Sequence, residues 1–184
     1  MNSILAAFSG TAIAALGCTL RSSPVYMPAN GVVQGMRPIM SYNYGAGSRK
    51  RMMETLKSSL QVAGAIMLLG TVLFLACPEW IMKLFDAGDE MMRLGVPMLR
   101  IISLGFVVST VGCVLSGSFE ALGQGLHSLL ISILRQLVII VPLSALFCRI
   151  WGIYGVWVTF PLAEAIAAAA AVILFKRYMK RLEI

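Results

Sequence analysis

Apolar residues run along this chain in five long blocks, each reaching the roughly 20 residues a helix needs to cross a bilayer, with short polar joints between them. The blocks predict helices over about 11–44, 50–76, 90–122, 126–147 and 153–179. Leu60 to Cys77 and Ile101 to Phe119 contain no charged residue at all. The first block is longer than one span needs and carries Pro24 and Pro28, so it predicts a bent helix in which Ser22 and Ser23 satisfy freed backbone groups. Met1 to Phe8 is apolar but too short to span before Ser9-Gly10-Thr11 closes it. Pro78 to Asp86 predicts a short amphipathic interfacial helix with Trp80 at headgroup level. Glu120 to Gly125 and Cys148 to Gly152 predict turns. No block alternates with the period of a strand, so the expected fold is all-α, a polytopic membrane helix bundle in a single domain over 1–184.

Composition agrees. The chain is 59% hydrophobic and 12% charged, where a soluble domain holds nearer half and a quarter; its mean hydropathy of +0.86 points the same way. The net charge of +7 does not indicate a nucleic-acid partner, because the cations gather at helix ends. The expected partner is the lipid bilayer. Arg49-Lys50-Arg51 and the tail cations Lys176, Arg177, Lys180 and Arg181 mark cytoplasmic ends, and the acidic loop from Asp86 to Glu90 marks an outer one. A cytoplasmic C-terminus after five spans puts the N-terminus outside; no basic n-region precedes the first apolar stretch, so no cleavable signal is expected. Cys18, Cys77, Cys113 and Cys148 are widely spaced and read as small buried apolar residues. With no nucleophile–base pair and no metal-ligand cluster in the sequence, neither an enzyme nor a metal site is expected.

Polar residues inside apolar helices carry the candidate chemistry. Gly31 to Gly47 reads GVVQGMRPIMSYNYGAG. Gly31 and Gly35 form a small-residue face suited to close helix packing. Gln34, Arg37, Tyr42 and Asn43 place polar groups along the same helix, Pro38 removes a backbone donor, and Gly45 and Gly47 suit a left-handed helix end. Arg37 lies close enough to the cationic end to snorkel, while Arg21 and Arg100 lie near the outer end. Gly105, Ser109, Gly112, Ser116 and Gly117 form a packing stripe. Arg135 and Glu164 differ from the rest: each sits roughly midway along its helix at about 1.5 Å per residue, where charge is costly and needs a partner. They are open to two readings, a structural ion pair or a proton- or cation-responsive site. Glu120 is expected to cap its helix or face water, His127 to face solvent, and Trp157 to anchor at the interface. The twelve methionines suit apolar packing, lipid-facing positions and flexible cavity walls.

Four strings together resemble the MATE family (multidrug and toxic compound extrusion transporters). The Gly31–Gly47 stretch resembles the family's Q-G-x-x-P-x-x-x-Y-N-x-G-A pattern. Phe119-Glu120-Ala121-Leu122-Gly123 resembles F-Q-A-x-G, with Glu120 in place of a common glutamine. Arg135-Gln136 followed by Pro142 resembles an R-Q…P pattern, and Gly152 to Trp157 with Pro161-Leu162-Ala163-Glu164 resembles G-x-x-G-x-W…P-x-A-[DE]. The resemblance implies a partial C-terminal lobe, the end of helix 7 followed by helices 8 to 12 of a twelve-helix plan, with the N-terminal lobe absent. It further implies a plasma-membrane antiporter that exports small organic, cationic or amphipathic compounds, with H⁺ or Na⁺ as coupling ion and no other cofactor. The coupling carboxylate of the proton-driven branch lies in helix 1, and the acidic residue of the Na⁺ branch lies partway along helix 10, where Ile101 to Phe119 offers none. Without a second lobe the chain is expected to be inactive in export. The alternatives are a lipid-linked oligosaccharide flippase of the same superfamily, against which the Y-N-x-G-A string speaks, and a non-transporting membrane subunit or remnant.

Overall fold

The computed structural model describes residues 26–83 and 88–182, and among them every regular element is a helix. In chain order these are α1 (Tyr26–Gly45), α2 (Arg49–Ala76), α3 (Pro78–Lys83), α4 (Asp89–Ser103), α5 (Phe106–Ala121), α6 (Gly125–Trp151) and α7 (Ile153–Arg181). Helices α2, α6 and α7 are long and apolar enough to cross a membrane, and α4 with α5 makes a fourth span if the bent pair is counted as one. Of the first predicted block only α1 is described. Residues 11–25, with Pro24, Ser22, Ser23, Cys18 and Arg21, lie outside the described residues, as do Met1 to Phe8 and the acidic Asp86.

α5 is the centre of the bundle, packed against α1, α2, α6 and α7. Its small residues let neighbours approach: a Cβ on Gly117 would run into the Val33 side chain of α1. The small pair on α1 itself packs against no described helix. Gly31 and Gly35 are exposed, and a Cβ at either would meet nothing within 4 Å among the described residues. The core is rich in methionine, with Met36, Met40, Met52, Met67 and Met82 buried in one cluster with Val114, Phe119 and Phe175, and Met98 buried in another. Flexible thioethers fill the irregular gaps between helices that cross at varied angles. The surface of α2 and α6 exposes Leu68, Leu69, Val72, Leu130 and Leu137, as a lipid-facing wall should.

The third predicted span, 90–122, is broken. α4 and α5 meet at Leu104–Gly105 and bend by 53°. Gly105 sits against α7, where a Cβ would lie 3.1 Å from the Pro161 Cα. The carbonyl of Ser103, freed by the break, accepts a hydrogen bond from Thr71 Oγ1 of α2 at 3.1 Å, the internal satisfaction that a membrane requires. The fourth span also differs. Helix α6 does not stop at 147 but continues through Cys148 to Trp151, and the chain reverses on Gly152 at φ 60°. Its middle, Leu134–Ile140, is π-helical. Pro142 explains the loosening, since it has no N–H and its ring crowds the carbonyl one turn back.

Candidate functional site

Two helix ends set the geometry. α1 stops because Gly47 takes a left-handed conformation, φ 65°, while Gly45 remains the last helical residue. α5 stops in the same way at Gly123, φ 73°, where the Gln124 N–H donates to the Phe119 carbonyl at 2.8 Å and the Gly123 N–H to the Glu120 carbonyl at 3.1 Å. This is the paired-bond helix stop that favours glycine. The reversal is tight enough that Ser128, on the first turns of α6, donates its hydroxyl to Glu120 Oε1 at 2.8 Å. On its other oxygen Glu120 receives Arg37 of α1, Nη2 to Oε2 at 2.6 Å. Gly117 makes this possible: it lies one turn before Glu120, and its bare backbone leaves room for Val33 and Arg37.

A second ion pair lies deeper. Arg135, on the second residue of the π segment, reaches both carboxylate oxygens of Glu164 on α7 at 3.3 Å. Cys113 of α5 lines the same cavity beside this pair. Both pairs line one cavity of about 160 Å³ enclosed by α1, α5, α6 and α7, with Asn30, Ser116 and Ser132 among its polar walls. Two arginines face two carboxylates there, so the charge inside balances. One donor is left over, the Arg37 Nε, which is buried without a hydrogen-bond partner. A cavity of this size holds about five waters at ~30 Å³ each and falls short of the ~300 Å³ at which drug-sized pockets begin.

The proposed site residues therefore separate. Arg37, Arg135 and Glu164 meet in the cavity. Gln34 and Tyr42 lie on the exposed face of α1, with Tyr42 73% exposed. Asn43 is buried but turned onto its own helix, donating to the Ile39 carbonyl at 2.9 Å. Glu120 is exposed, as expected of a residue facing water, and Arg37, partly exposed near the same end, binds it. Cys113 and Cys148 are half-buried and Cys77 is exposed, in place of the uniform burial expected. Trp157 is buried in a cluster with Met98 and Val156, not placed at an interface, whereas Trp80 is 72% exposed. His127 is half-buried and stacks on Phe119 with centroids 5.0 Å apart, so it does not simply face solvent.

A family model described as MatE matches residues 1–146. The chain belongs to the MATE family. Multidrug export protein MepA of Staphylococcus aureus (strain bovine RF122 / ET3-1) is 24% identical over 187 residues, covering 100% of this chain and 41% of the relative. MepA of Staphylococcus haemolyticus (strain JCSC1435) is likewise 24% identical, with 40% of the relative covered. This chain thus spans about two fifths of the length of the curated relatives it matches. Among solved structures, an outward-facing multidrug resistance MATE family transporter of the MOP superfamily superposes with a TM-score of 0.91 at 19% identity, over 97% of this chain and 41% of that one. The MATE multidrug transporter DinF-BH gives a TM-score of 0.76 at 31% identity over 83% of this chain and 34% of that one.

Membership makes the chain part of an integral membrane protein with a transporter fold. Within that fold, the cavity excludes Gln34 and Asn43 of the family string and is built as much by Glu120, Ser128 and Cys113 as by Arg37, Arg135 and Glu164. The available signal was the glutamate at a position where the family pattern carries glutamine, placed one turn after Gly117 and eight residues before Ser128.

Proposed function

We propose that the chain is the C-terminal lobe of a secondary active multidrug exporter, and that its balanced cavity is the part of that lobe which responds to a cation. The observation that carries this reading is the pairing of each carboxylate with an arginine inside one small cavity of a MATE fold. Glu120 and Glu164 offer no spare negative charge while their arginines stay bound. A proton or Na⁺ arriving at Glu164 competes with Arg135, and a cationic compound does the same at Glu120. Each such exchange releases a guanidinium and so changes the contacts between α6 and α7 or between α1 and α5. A ligand shifts a conformational equilibrium only through such differential contacts.

The cavity is too small for a drug-sized compound on its own. A second lobe facing the open side of α1, where Gln34, Gly35 and Tyr42 are exposed, completes the substrate chamber in this reading, and the two lobes rock around it. The cationic ends at Arg49-Lys50-Arg51 and Lys176 to Arg181 favour a cytoplasmic C-terminus in the plasma membrane.

The test is extrusion of ethidium from proteoliposomes. Vesicles holding only this chain are expected to show no gradient-dependent extrusion. A chimaera with this chain in place of the corresponding lobe of MepA is expected to extrude the dye, and Glu164→Gln in that chimaera to abolish its dependence on the ion gradient. Extrusion by the chain alone, or an unchanged ion dependence in Glu164→Gln, overturns the proposal.

A further inference from the structure

At the cationic end of the bundle lies a second and larger concavity that export does not call upon. It is a groove of about 660 Å³ between the end of α1, the start of α6 and the last turns of α7. Four of its lining residues come from α7, namely Leu174, Arg177, Tyr178 and Arg181, and Leu182 follows directly after the helix. They recur at the three- and four-residue spacing of one helix face, so two guanidinium groups stand one turn apart with a leucine at either end. The facing wall supplies Tyr44, Gln124 and His127.

This groove is built, not incidental. Tyr178 lines the groove together with Tyr44 at the end of α1 and Gln124 just before α6. Behind it His127 stacks on Phe119 at 5.0 Å, and Tyr178 meets the same Phe119 edge-on at 5.9 Å. His127 Nδ1 is buried without a hydrogen-bond partner. Neither Arg177 nor Arg181 has a carboxylate within 4.0 Å among the described residues, where the ion pairs are Arg37–Glu120 and Arg135–Glu164. Two arginine forks that meet no carboxylate among the described residues, beside phenol and amide groups, suit a tetrahedral oxyanion, because guanidinium binds phosphate through paired hydrogen bonds. Leu174 and Leu182 add apolar flanks that an inorganic ion does not need but an amphiphile does.

We propose that this groove binds a phosphate ester, and that its occupant is the headgroup of an anionic phospholipid. Basic pockets between membrane helices bind such headgroups at the depth where helix-end arginines lie. The inference rests on the family fold and the groove, not on export.

The experiment uses the whole chain purified in detergent micelles, with native mass spectrometry counting retained phosphatidylglycerol against phosphatidylcholine. The chain is expected to retain phosphatidylglycerol preferentially. Arg177→Ala with Arg181→Ala is expected to reduce retention about tenfold, the size of a lost charge-assisted hydrogen bond. Lys176→Ala with Lys180→Ala removes the same charge from the same turns but from residues outside the groove, and is expected to leave retention within about twofold. Arg177→Lys with Arg181→Lys guards against misfolding, since it keeps the charge and loses only the forks; it should fall between the two. Equal losses in the arginine and lysine pairs, or no preference over phosphatidylcholine, overturn the proposal. Glycerol 3-phosphate is added as the soluble arm: failure to displace the lipid supports a lipid occupant, and full displacement at millimolar concentration overturns it in favour of a soluble ester.

Discussion

Arg37 meets Glu120 at 2.6 Å between α1 and α5 with 35% and 37% of the two side chains exposed, whereas Arg135 meets Glu164 at 3.3 Å between α6 and α7 with 30% and 17% exposed. Distance alone ranks the first pair as stronger. Solvent reverses that order. An ion pair with a third of its surface in water is screened, and such pairs contribute about 0–1 kcal/mol. A pair withdrawn from water gains little net energy from its attraction, but losing one member strands a charge. The two also differ in what holds them. The outer pair depends on backbone, through the bare Gly117 and the reversal at Gly123. The inner pair depends on helix distortion, with Arg135 on a π segment ahead of Pro142 and Glu164 one turn beyond Pro161.

The largest effect should come from stranding the inner arginine. Glu164→Ala is expected to destabilise the bundle by about 2–3 kcal/mol, somewhat less than a fully buried pair loses when broken. Glu120→Ala should cost about 1 kcal/mol or less. Urea midpoints in mixed micelles measure both. Arg135→Met combined with Glu164→Leu should recover to within about 1 kcal/mol of the parent, because an apolar pair of similar volume replaces the ions without leaving either one behind. Equal losses at Glu164 and Glu120 would mean that exposure does not distinguish the pairs.

The glycines beneath the outer pair give the next effect, and it carries opposite signs at neighbouring positions. Gly117→Ala places a methyl against Val33 of α1 and should cost about 1–2 kcal/mol through overpacking, with α1 and Arg37 displaced from Glu120. Gly112→Ala meets nothing within 4 Å and should stabilise by up to about 1 kcal/mol, since alanine favours helix. Thermal unfolding followed by circular dichroism separates the two, and a loss at Gly112 as large as at Gly117 would remove the packing argument.

These pairs show where a one-dimensional pattern carries structure and where it does not. The helices were legible because a bilayer demands long apolar runs, and the observed α2 and α7 begin and end within a few residues of the blocks around 50–76 and 153–179. The break at Leu104–Gly105 was not legible, since its neighbours there are Pro161, more than fifty residues away, and Thr71 on a third helix. Arg37 was placed near the cationic end because its distance from the helix end is a property of α1, whereas its partner is a property of how α1 lies on α5. Trp157 misled for a similar reason. An aromatic near a helix start reads as an interface anchor, but the bend between α4 and α5 brings Met98 over it.

The smallest expected effect sharpens the comparison most. Ser128→Ala removes the hydroxyl that donates to Glu120 Oε1 at 2.8 Å. A hydrogen bond to a carboxylate is worth about 1.5–3 kcal/mol when water is excluded. Glu120 is 37% exposed, so a water should take the place of the hydroxyl and the loss should stay below about 0.5 kcal/mol. A double-mutant cycle pairing Ser128→Ala with Arg37→Ala then reads the coupling between the two contacts on one carboxylate. Coupling near zero fits a wet outer pair that exchanges partners readily, as a cation-responsive cavity needs at its mouth. Coupling above about 1 kcal/mol would mean a closed, cooperative network, and the outer pair would then be a structural clamp, leaving only the inner pair to respond to an ion.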